Sequence, residues 1–578
     1  MLFFFSAVLV IIALFYILLI IKIFLVICSF RPYAKIRSGE RRRLLSSDER
    51  RSKKQENLNY FGLRCIAPCT SDEDTIQAFK DIAGLLSIIF GDRDLVPSDI
   101  LAGLIILSHG HDQSRVGERA PGPPVVGRTV LEGLGVSLVR VEGEGDTRMV
   151  EIAGEETRIR LDWANIKHYY KFAAAAYGYM WWMLQSPVTH CCKLGWSLQC
   201  SACCGDSEEL FVEGDGVFRP NYAAIKAMLD IDDRDIIVFD NRNMIEEVPF
   251  LLVADKSTRS LIISIRGTLS LHDMLTDLRG EPGVILDSQP EWLGHQGMVN
   301  AAKYVYMRLH GQVTEREMRN SAQSDRSSRD SLRQRDILQC CLTDPEYDGF
   351  DIVVTGHSLG AGTATILAFL LRDRYPDIRV TCYAYSPPGG LLSLAAAKES
   401  EKFSVSVIVG DDVIPRLSLT SIGTLSRDIK QIITACSLPK YQVFGYGCMA
   451  CCCKRHNTPL SAELARLFPP VTPETETSQA EISDSKEELL PCPPTVTATA
   501  DPPSLSILLS MPAMFLPGRV IHITESPDTG QYSVTEQERA IFKKILVSPR
   551  MLTDHFPNNL HKVLESCPDA ASVVPVLV

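Results

Sequence analysis

A short segment of the 578-residue chain carries the residue types of a serine hydrolase. Gly356, Ser358 and Gly360 form a Gly-x-Ser-x-Gly pattern between an apolar β-branched run (352–355) and an Ala- and Leu-rich stretch (361–374). A sharp turn from a strand into a helix pushes the serine hydroxyl outward, and the glycines leave room for the neighbouring backbone. We therefore predict that Ser358 is a catalytic nucleophile; a structural glycine-rich turn is the alternative.

A serine hydroxyl needs a base to activate it, and the base needs a carboxylate to orient it. In folds with this turn, the acid and then the histidine follow the serine along the chain. Asp411 and Asp412 directly follow the predicted strand 405–409, and open α/β sheets hold their ligands beyond the carboxyl ends of the strands. Both are therefore candidates for the acid, and two solvated turn residues are the alternative.

Few histidines follow these carboxylates. His456 lies at the edge of a Pro- and Thr-rich stretch, where a base could not be held in position. His522 ends a strand-like run, and His555 lies in a loop between two helical stretches. We favour His555 over His522 as the base, because triad histidines usually lie in such a loop.

The reaction also needs backbone N–H groups that stabilise an oxyanion, each worth about 3 kcal/mol. One is the amide of Leu359, the residue after the nucleophile. A second would follow an earlier strand, where Arg266, Gly267 and Thr268 form a predicted tight turn. We predict that the Thr268 amide is this second donor.

Alternating strands and helices would position these residues. Near-continuous apolar strands separated by helical patterns are typical of a mainly parallel sheet that is covered on both faces. The predicted fold class is therefore α/β, of the α/β-hydrolase type. The predicted strands are 250–254, 261–265, 352–355, 380–385, 405–409 and 519–523, and the predicted helices are 166–182, 296–309, 361–374 and 535–546.

The N-terminal part is predicted to attach the chain to a membrane. Residues 1–30 are almost wholly apolar, and a membrane-spanning helix needs roughly 20 such residues; a buried core helix is the alternative. Residues 31–54 contain ten Lys or Arg against three acidic residues, which places the catalytic part in the cytosol by the positive-inside rule. We also expect this segment to bind an anionic lipid surface, with the plasma membrane as the location.

Composition and charge indicate which partners the chain excludes and how it divides into segments. The net charge of −11 argues against a nucleic-acid partner. We predict a transmembrane helix over 1–30, a basic juxtamembrane segment over 31–73, a helical region with a loop over 74–165, a catalytic domain over 166–565 and a tail over 566–578. Within these, 109–156 is predicted to be a loop or a weakly ordered hairpin, because it is rich in Gly and charge.

Two flexible insertions are predicted within the catalytic domain, at about 312–336 and 455–517, because both are polar and poor in groups that a core could bury. The second insertion lies between the candidate acid and the candidate base. We hypothesise that it acts as a cover over the active site; a passive loop is the alternative.

Two cysteine clusters stand out among the 18 cysteines of the chain. They lie within 191–204 and 448–453, and each contains a Cys-x-x-Cys, so zinc binding must be weighed. Their doublets and triplet are not arranged as pairs of ligands, and we assign no metal ligand. Reversible S-acylation near a membrane and plain free thiols are the two other interpretations.

These motifs together resemble the class 3 lipases, which have the α/β-hydrolase fold. That family carries an Arg-Gly-Thr/Ser oxyanion turn, a His-x-Gly segment and Gly-His-Ser-Leu-Gly, here at 266–268, 295–297 and 356–360. Longer segments resemble the sn-1-specific diacylglycerol lipases, most nearly their beta form, and the resemblance covers roughly residues 60–560. These segments are DLVPSDILAGL (94–104), HYYKFAAAAYG (168–178), GDDVIPRLS (410–418) and MLTDH (551–555).

Position by position, the resemblance implies Ser358 as nucleophile, Asp412 as acid and His555 as base. The alpha form of the family has a lysine where this chain has Asp411, which favours Asp412. The implied reaction is hydrolysis of the sn-1 ester of a diacylglycerol to a 2-monoacylglycerol, such as the endocannabinoid 2-arachidonoylglycerol, and a free fatty acid. Stimulation by Ca²⁺ is also implied, although the sequence shows no EF-hand or other calcium loop.

The chain departs from the family at its N-terminus. The family has four transmembrane helices before the catalytic domain and this chain shows one, so we expect a shortened form. Two other enzymes, a triacylglycerol lipase or a phospholipase A1, would use the same catalytic residues and differ only in the acyl pocket. The non-enzymatic alternative is a membrane scaffold that keeps the fold without turnover.

Overall fold

The computed structural model describes part of the chain. The predicted membrane helix 1–30, the basic segment 31–73, both cysteine clusters and most of both insertions lie outside it. The described residues are 102–111, 128–130, 137–143, 146–151, 159, 161–185, 189–190, 211–213, 215, 219–242, 247–267, 282–312, 336–439, 442–443, 466–467, 513–526, 529–567 and 574–575.

Beta strands form the centre of the described part. The strands are β1 (Arg128–Val130), β2 (Ser137–Gly143), β3 (Asp146–Glu151), β4 (Phe211–Glu213), β5 (Ile236–Asp240), β6 (Phe250–Asp255), β7 (Ser260–Ile265), β8 (Pro282–Leu286), β9 (Gln289–His295), β10 (Asp351–His357), β11 (Val380–Tyr385), β12 (Ser404–Val409), β13 (Arg519–Glu525), β14 (Tyr532–Gln537) and β15 (Val574–Pro575).

Ten of these described strands form one sheet, in the order β15-β14-β13-β12-β11-β10-β7-β6-β5-β4. Pairing is parallel from β7 through β10, β11 and β12 to β13. It is antiparallel between β5 and β6, between β6 and β7, and between β13 and β14. The parallel strands end at one edge of the sheet, which is therefore where residues after β7, β10 and β12 meet.

Helices cover both faces of the sheet. They are α1 (Trp163–Ala175), α2 (Gly178–Gln185), α3 (Pro220–Leu229), α4 (Gln296–Leu309), α5 (Ile337–Thr343), α6 (Leu359–Arg374), α7 (Leu394–Ser400), α8 (Leu419–Ala435) and α9 (Pro557–Ser566). Single turns of 3₁₀ helix lie at Asp233–Asp235, Pro345–Tyr347, Ile414–Arg416 and Arg539–Phe542. A further helical segment occupies 102–111.

Successive residues of the parallel strands enter two separate cores. Ile352 and Val354 pack with α4 and α6 on one face. Val353 packs with α1 and α9 on the other face. Because side chains alternate along a strand, a strand buried on both faces must be apolar throughout. This explains the β-branched runs, and the α/β-hydrolase fold with its mainly parallel sheet is the one expected.

Several predicted elements agree with the structure. The predicted bounds 296–309 and 380–385 are those of α4 and β11. Strands β7 and β12 each begin one residue before the predicted run, and β10 extends its run by one residue at the start and two at the end. These segments were recognisable because each is either amphipathic with a helical period or apolar on both faces.

Two predicted helices differ from the structure. The helix expected over 166–182 is divided into α1, which begins at Trp163, and α2. Gly178, the first residue of α2, has a φ of +67°, which an L-residue rarely adopts. The helix expected over 535–546 is instead β14 and a 3₁₀ turn. The ladder that β14 forms with β13 outweighs the helical propensity of its Glu and Gln residues.

Two further expectations can be compared with the structure. The hairpin expected within 109–156 is present as β2 and β3, and β1 pairs with β2 to complete a small antiparallel sheet. The insertion expected to end at 517 ends earlier, because Phe515 pairs with Leu392 and Leu516 is buried. Apolar residues 513–517 therefore already belong to the folded domain.

In the ranges that the structure describes, no helix is both long enough and apolar enough to cross a membrane.

Candidate active site

Ser358 stands on the turn between β10 and α6. Its backbone has φ +59° and ψ −125°, an arrangement outside the regions that most L-residues occupy. Its amide donates to the carbonyl of Tyr385 at 2.9 Å, and its own carbonyl accepts from Ala361. The turn is therefore held from the neighbouring strand and from the helix that it begins.

The glycines of the motif are required by close packing. A Cβ at Gly356 would lie 2.5 Å from the carbonyl oxygen of Gly360, and a Cβ at Gly360 would overlap the carbonyl of Ile265. Both positions lie where β7, β10 and α6 meet. Only residues without a side chain let these three elements approach closely enough to fix the serine.

His555 bridges Ser358 and Asp412. Its Nε2 lies 3.0 Å from the hydroxyl of Ser358, and its Nδ1 lies 3.0 and 3.1 Å from the two carboxylate oxygens of Asp412. A carboxylate only accepts, so Nδ1 carries the hydrogen and Nε2 is free to accept from the serine. This is the arrangement in which imidazole can take a proton from a hydroxyl.

Asp412 is held by the turn that follows β12. Its carboxylate is fully buried and also accepts from the amide of Ile414 at 3.0 Å. The neighbouring Asp411 meets the site through its backbone, since its amide donates to the carboxylate of Asp554 at 2.8 Å. The structure thus places Asp412, and not the side chain of Asp411, on the imidazole.

His522, the other candidate base, lies on β13 and has a different partner. Its Nε2 donates to the carbonyl of Gly410 at 2.8 Å, and its ring packs edge-on against Phe542. His522 therefore supports the backbone of the turn that carries Asp412. His456 lies outside the described residues.

The structure describes one of the two predicted oxyanion donors. Leu359 is the first residue of α6, and the amides of a helix's first turn have no carbonyl partner within the helix. Gly267 is the last described residue of the other turn, so the Thr268 prediction lies outside the described residues. A Cβ at Gly267 would run into the hydroxyl of Tyr177 and the carbonyl of His357.

Three residues that surround the triad, Tyr177, His357 and Asp554, were not predicted from the sequence. His357 places Nε2 2.9 Å from the carbonyl oxygen of His555, and Tyr177 places its hydroxyl 2.8 Å from Nδ1 of His357. Burial lowers the pKa of His357 well below its usual range, whereas burial raises the pKa of the Asp554 carboxyl. His357 lies within the recognised motif and Asp554 beside the recognised histidine, which were the available signals.

Among the described residues, no group of three or more His, Cys, Asp or Glu side chains could hold a metal ion. Cys340, Cys341, Cys382, Cys436 and Cys567 form no disulfide bond within the described part of the chain. No residue is therefore assigned to Ca²⁺, and stimulation by Ca²⁺ stays an expectation from the resemblance.

Comparison with known proteins places the site in a family context. The family model described as lipase (class 3) matches residues 262–422. Mouse diacylglycerol lipase-beta is 32% identical over 524 residues, which cover 87% of this chain and 67% of that protein. Rat diacylglycerol lipase-alpha is 29% identical over 575 residues, covering 94% of this chain. The chain spans about half (49%) of the length of that alpha form.

Among solved structures, the mono- and diacylglycerol lipase from Aspergillus oryzae is similar at 19% sequence identity. The match covers 46% of this chain and 77% of that chain, with a TM-score of 0.28.

Proposed function

Because the chain belongs to the diacylglycerol lipase family, we propose that it hydrolyses the sn-1 ester of diacylglycerol, with Ser358 as nucleophile, His555 as base and Asp412 as acid. The observation that carries this proposal is the position of the His555 ring, within hydrogen-bond distance of both Ser358 and Asp412. The products are a 2-monoacylglycerol, such as 2-arachidonoylglycerol, and a free fatty acid.

The geometry supports a two-step acyl transfer. The hydroxyl oxygen of Ser358 attacks the ester carbonyl while Nε2 of His555 takes its proton. The amide of Leu359, and in our proposal that of Thr268, donate to the oxyanion. As the intermediate collapses, His555 returns the proton to the departing glycerol oxygen, which leaves an acyl-serine. Water, deprotonated by the same nitrogen, then releases the fatty acid and restores the serine.

Asp412 orients His555 and stabilises its protonated form. Its buried carboxylate fixes the tautomer of His555 and stabilises the imidazolium that forms when the serine proton arrives. Two oxygen contacts to Nδ1 also fix the orientation of the ring. Loss of either function would leave the serine hydroxyl without a competent base.

The substrate would reach the site from a lipid surface. Leu552 and Phe556 flank His555 in one turn, and they are 57% and 58% exposed. Large apolar side chains that are this exposed beside a reactive site are suited to contact with lipid. Together with the apolar residues 1–30 and the basic residues 31–54, they support attachment to a membrane, with the catalytic part in the cytosol.

The deciding experiment is product analysis with the purified full chain. Diacylglycerol labelled in its sn-1 acyl chain is presented in vesicles, and Ser358→Ala serves as the control for contaminating lipases. We expect labelled free fatty acid and unlabelled 2-monoacylglycerol from the wild type alone. Label retained on the monoacylglycerol would contradict sn-1 specificity.

Parallel assays separate the alternative enzymes. If triacylglycerol, or the sn-1 ester of a phospholipid, is hydrolysed faster than diacylglycerol, that lipid is the substrate. The proposed catalytic residues would stay the same. A fluorophosphonate probe that labels the wild type but not Ser358→Ala would show that the serine is reactive. Absence of labelling in both would leave the scaffold interpretation.

A further inference from the structure

We propose that Tyr177 and His357 form a buried positioning pair, which fixes the backbone of His555 so that its ring reaches Ser358. The inference rests on the proposed function, since it matters only if His555 is the base. Neither side chain would contact the substrate. Both are therefore positioning residues.

The hydrogen-bond pattern of the pair admits one arrangement. The carbonyl oxygen of His555 can only accept, so Nε2 of His357, at 2.9 Å, carries the hydrogen. In a neutral imidazole Nδ1 is then an acceptor. The hydroxyl of Tyr177, 2.8 Å from Nδ1, must donate to it. The phenol therefore selects the tautomer of His357 that donates to the base.

Burial keeps this arrangement in place. Tyr177 and His357 are 5% and 1% exposed, and burial lowers the pKa of His357, so that the ring stays neutral. Water does not compete for these groups, and a hydrogen bond in such surroundings is stronger than one in water. The rings of His357 and His555 lie 4.8 Å apart between centroids.

The other hydrogen bonds that hold this turn end on neighbours of His555 and not on its carbonyl. One of them runs from the hydroxyl of Tyr170 to the carbonyl of Pro557, which follows His555. The amide of Asp411 donates to the carboxylate of Asp554, and the amide of Val413 donates to the carbonyl of Met551. His357 holds the carbonyl of His555 itself. A misplacement of about 1 Å at a reacting group can cost about 10²-fold in rate, so control of this carbonyl matters for the chemical step.

Tyr177 and His357 also lie close to the turn that contains Gly267. A Cβ at Gly267 would overlap both the hydroxyl of Tyr177 and the carbonyl of His357. Gly267 directly precedes Thr268, the predicted second oxyanion donor. Together, Tyr177 and His357 therefore connect the turn that carries the base with the turn predicted to carry the oxyanion donor.

The first test removes one hydroxyl. In the purified full chain, Tyr177→Phe should lower both kcat for a soluble short-chain ester and the rate of fluorophosphonate labelling by about five- to tenfold, the usual worth of one hydrogen bond, with KM unchanged. Tyr222→Phe is the matched control. Tyr222 lies on α3, and its hydroxyl donates to Asp233 at 2.7 Å. The loss of this hydroxyl should leave both rates unchanged.

The second test separates positioning from packing. The amide nitrogen of His357→Gln lies near the place of Nε2 and can still donate to His555. The shorter His357→Asn reaches only the place of Nδ1. We expect the Gln variant to keep several-fold more kcat than the Asn variant. A residue that merely filled space would give activities that follow the thermal stability of the two variants.

The outcomes distinguish this inference from the proposed function. A wild-type chain that the fluorophosphonate does not label would overturn the proposed function and the positioning pair with it. A wild-type chain that is labelled, together with a Tyr177→Phe variant labelled at the same rate, would overturn the positioning pair alone. Equal kcat in the Gln and Asn variants would do the same.

Discussion

Ser358 has a backbone conformation that costs about 1–3 kcal/mol for an L-residue, and its neighbours hold it there. Gly356 and Gly360 let β10 and α6 approach β7, and the amide of Ser358 is fixed by the carbonyl of Tyr385. Strain of this kind persists only where the surrounding contacts determine the conformation. At the scale of single residues, the site is therefore built mainly by backbone contacts, and the triad side chains depend on them.

The two adjacent aspartates give the sharpest prediction at this scale. Asp412→Asn should lower kcat by about 10⁴-fold, because an amide in that place favours the wrong tautomer of His555. Asp411→Asn should keep most activity, because Asp411 meets the turn through its backbone amide. Both rates are measured with the soluble ester. An inactive Asp411→Asn beside an active Asp412→Asn would reverse the assignment of the acid.

The sequence predicted the triad candidates but missed the residues that hold them. Ser358 is recognisable from a local pattern, and its loop position favours His555 over His522. The order that the fold imposes leaves both Asp411 and Asp412 as candidates for the acid, and only the resemblance favours Asp412. The roles of Tyr177 and His357 arise from contacts between residues 180 positions apart, and no local pattern reports such contacts.

At the scale of elements, apolar runs predicted the centre of the sheet better than its margins. β10, β11 and β12 are buried on both faces, so that their composition alone identified them. β5 was missed although its sequence IIVFD is equally apolar. β14 is half-exposed at the margin, and its mixed composition also suits a helix. Pairing with β13 decides its conformation, and pairing is a property of the fold.

The turn that carries His555 gives a prediction at this scale. Replacing both Leu552 and Phe556 with Ser should slow the hydrolysis of diacylglycerol in vesicles about tenfold or more, since burying each side chain in lipid is worth about 1.5–3 kcal/mol. Hydrolysis of the soluble ester should change little, because both side chains are more than half exposed and the hydrogen bonds of the triad run through the ring of His555.

Leu394→Ser is the matched control for that double variant. Leu394 is a similarly exposed leucine, at 47%, but it begins α7 and lies outside the turn. Its replacement should affect neither assay. If the double variant loses both activities in parallel, the turn has been displaced and lipid contact is not its role.

At the scale of the whole molecule, buried histidines link stability to pH. Burial lowers the pKa of His295 to about 4 and lowers the pKa of His357 well below its usual range. In an unfolded chain the pKa of a histidine is about 6.5. The unfolded state therefore binds protons first as pH falls. The stability that these neutral rings contribute is present above about pH 6.5 and is lost below it, by up to about 1.4 kcal/mol per pH unit for each histidine.

Thermal unfolding of His295→Gln tests this linkage. Glutamine does not titrate, so the decrease in Tm between pH 7 and pH 5 should be smaller in the variant than in the wild type. The two proteins are compared by the size of that decrease and not by Tm at one pH, because the substitution also changes packing. Equal decreases would mean that His295 does not contribute.

The long insertion between Asp412 and His555 gives the last prediction. Leu467 is buried beside Ile106 and Val443, and Phe515 pairs with Leu392, so a deletion should spare these anchors and remove about 471–510. If the insertion covers the site, the shortened chain should hydrolyse the soluble ester faster and react faster with a fluorophosphonate. Unchanged rates would identify a passive loop.

The position of His555 along the chain has a consequence for biosynthesis. β7, β10 and β12, which precede the predicted oxyanion turn, the proposed nucleophile and the proposed acid, all come before the insertion, whereas the proposed base follows β13 and β14. If these roles hold, the nascent chain acquires its nucleophile long before its base during translation. A ribosome-bound chain would then remain inert toward the lipids around it until the segment that contains His555 emerges, so the order of synthesis itself would delay the onset of hydrolysis.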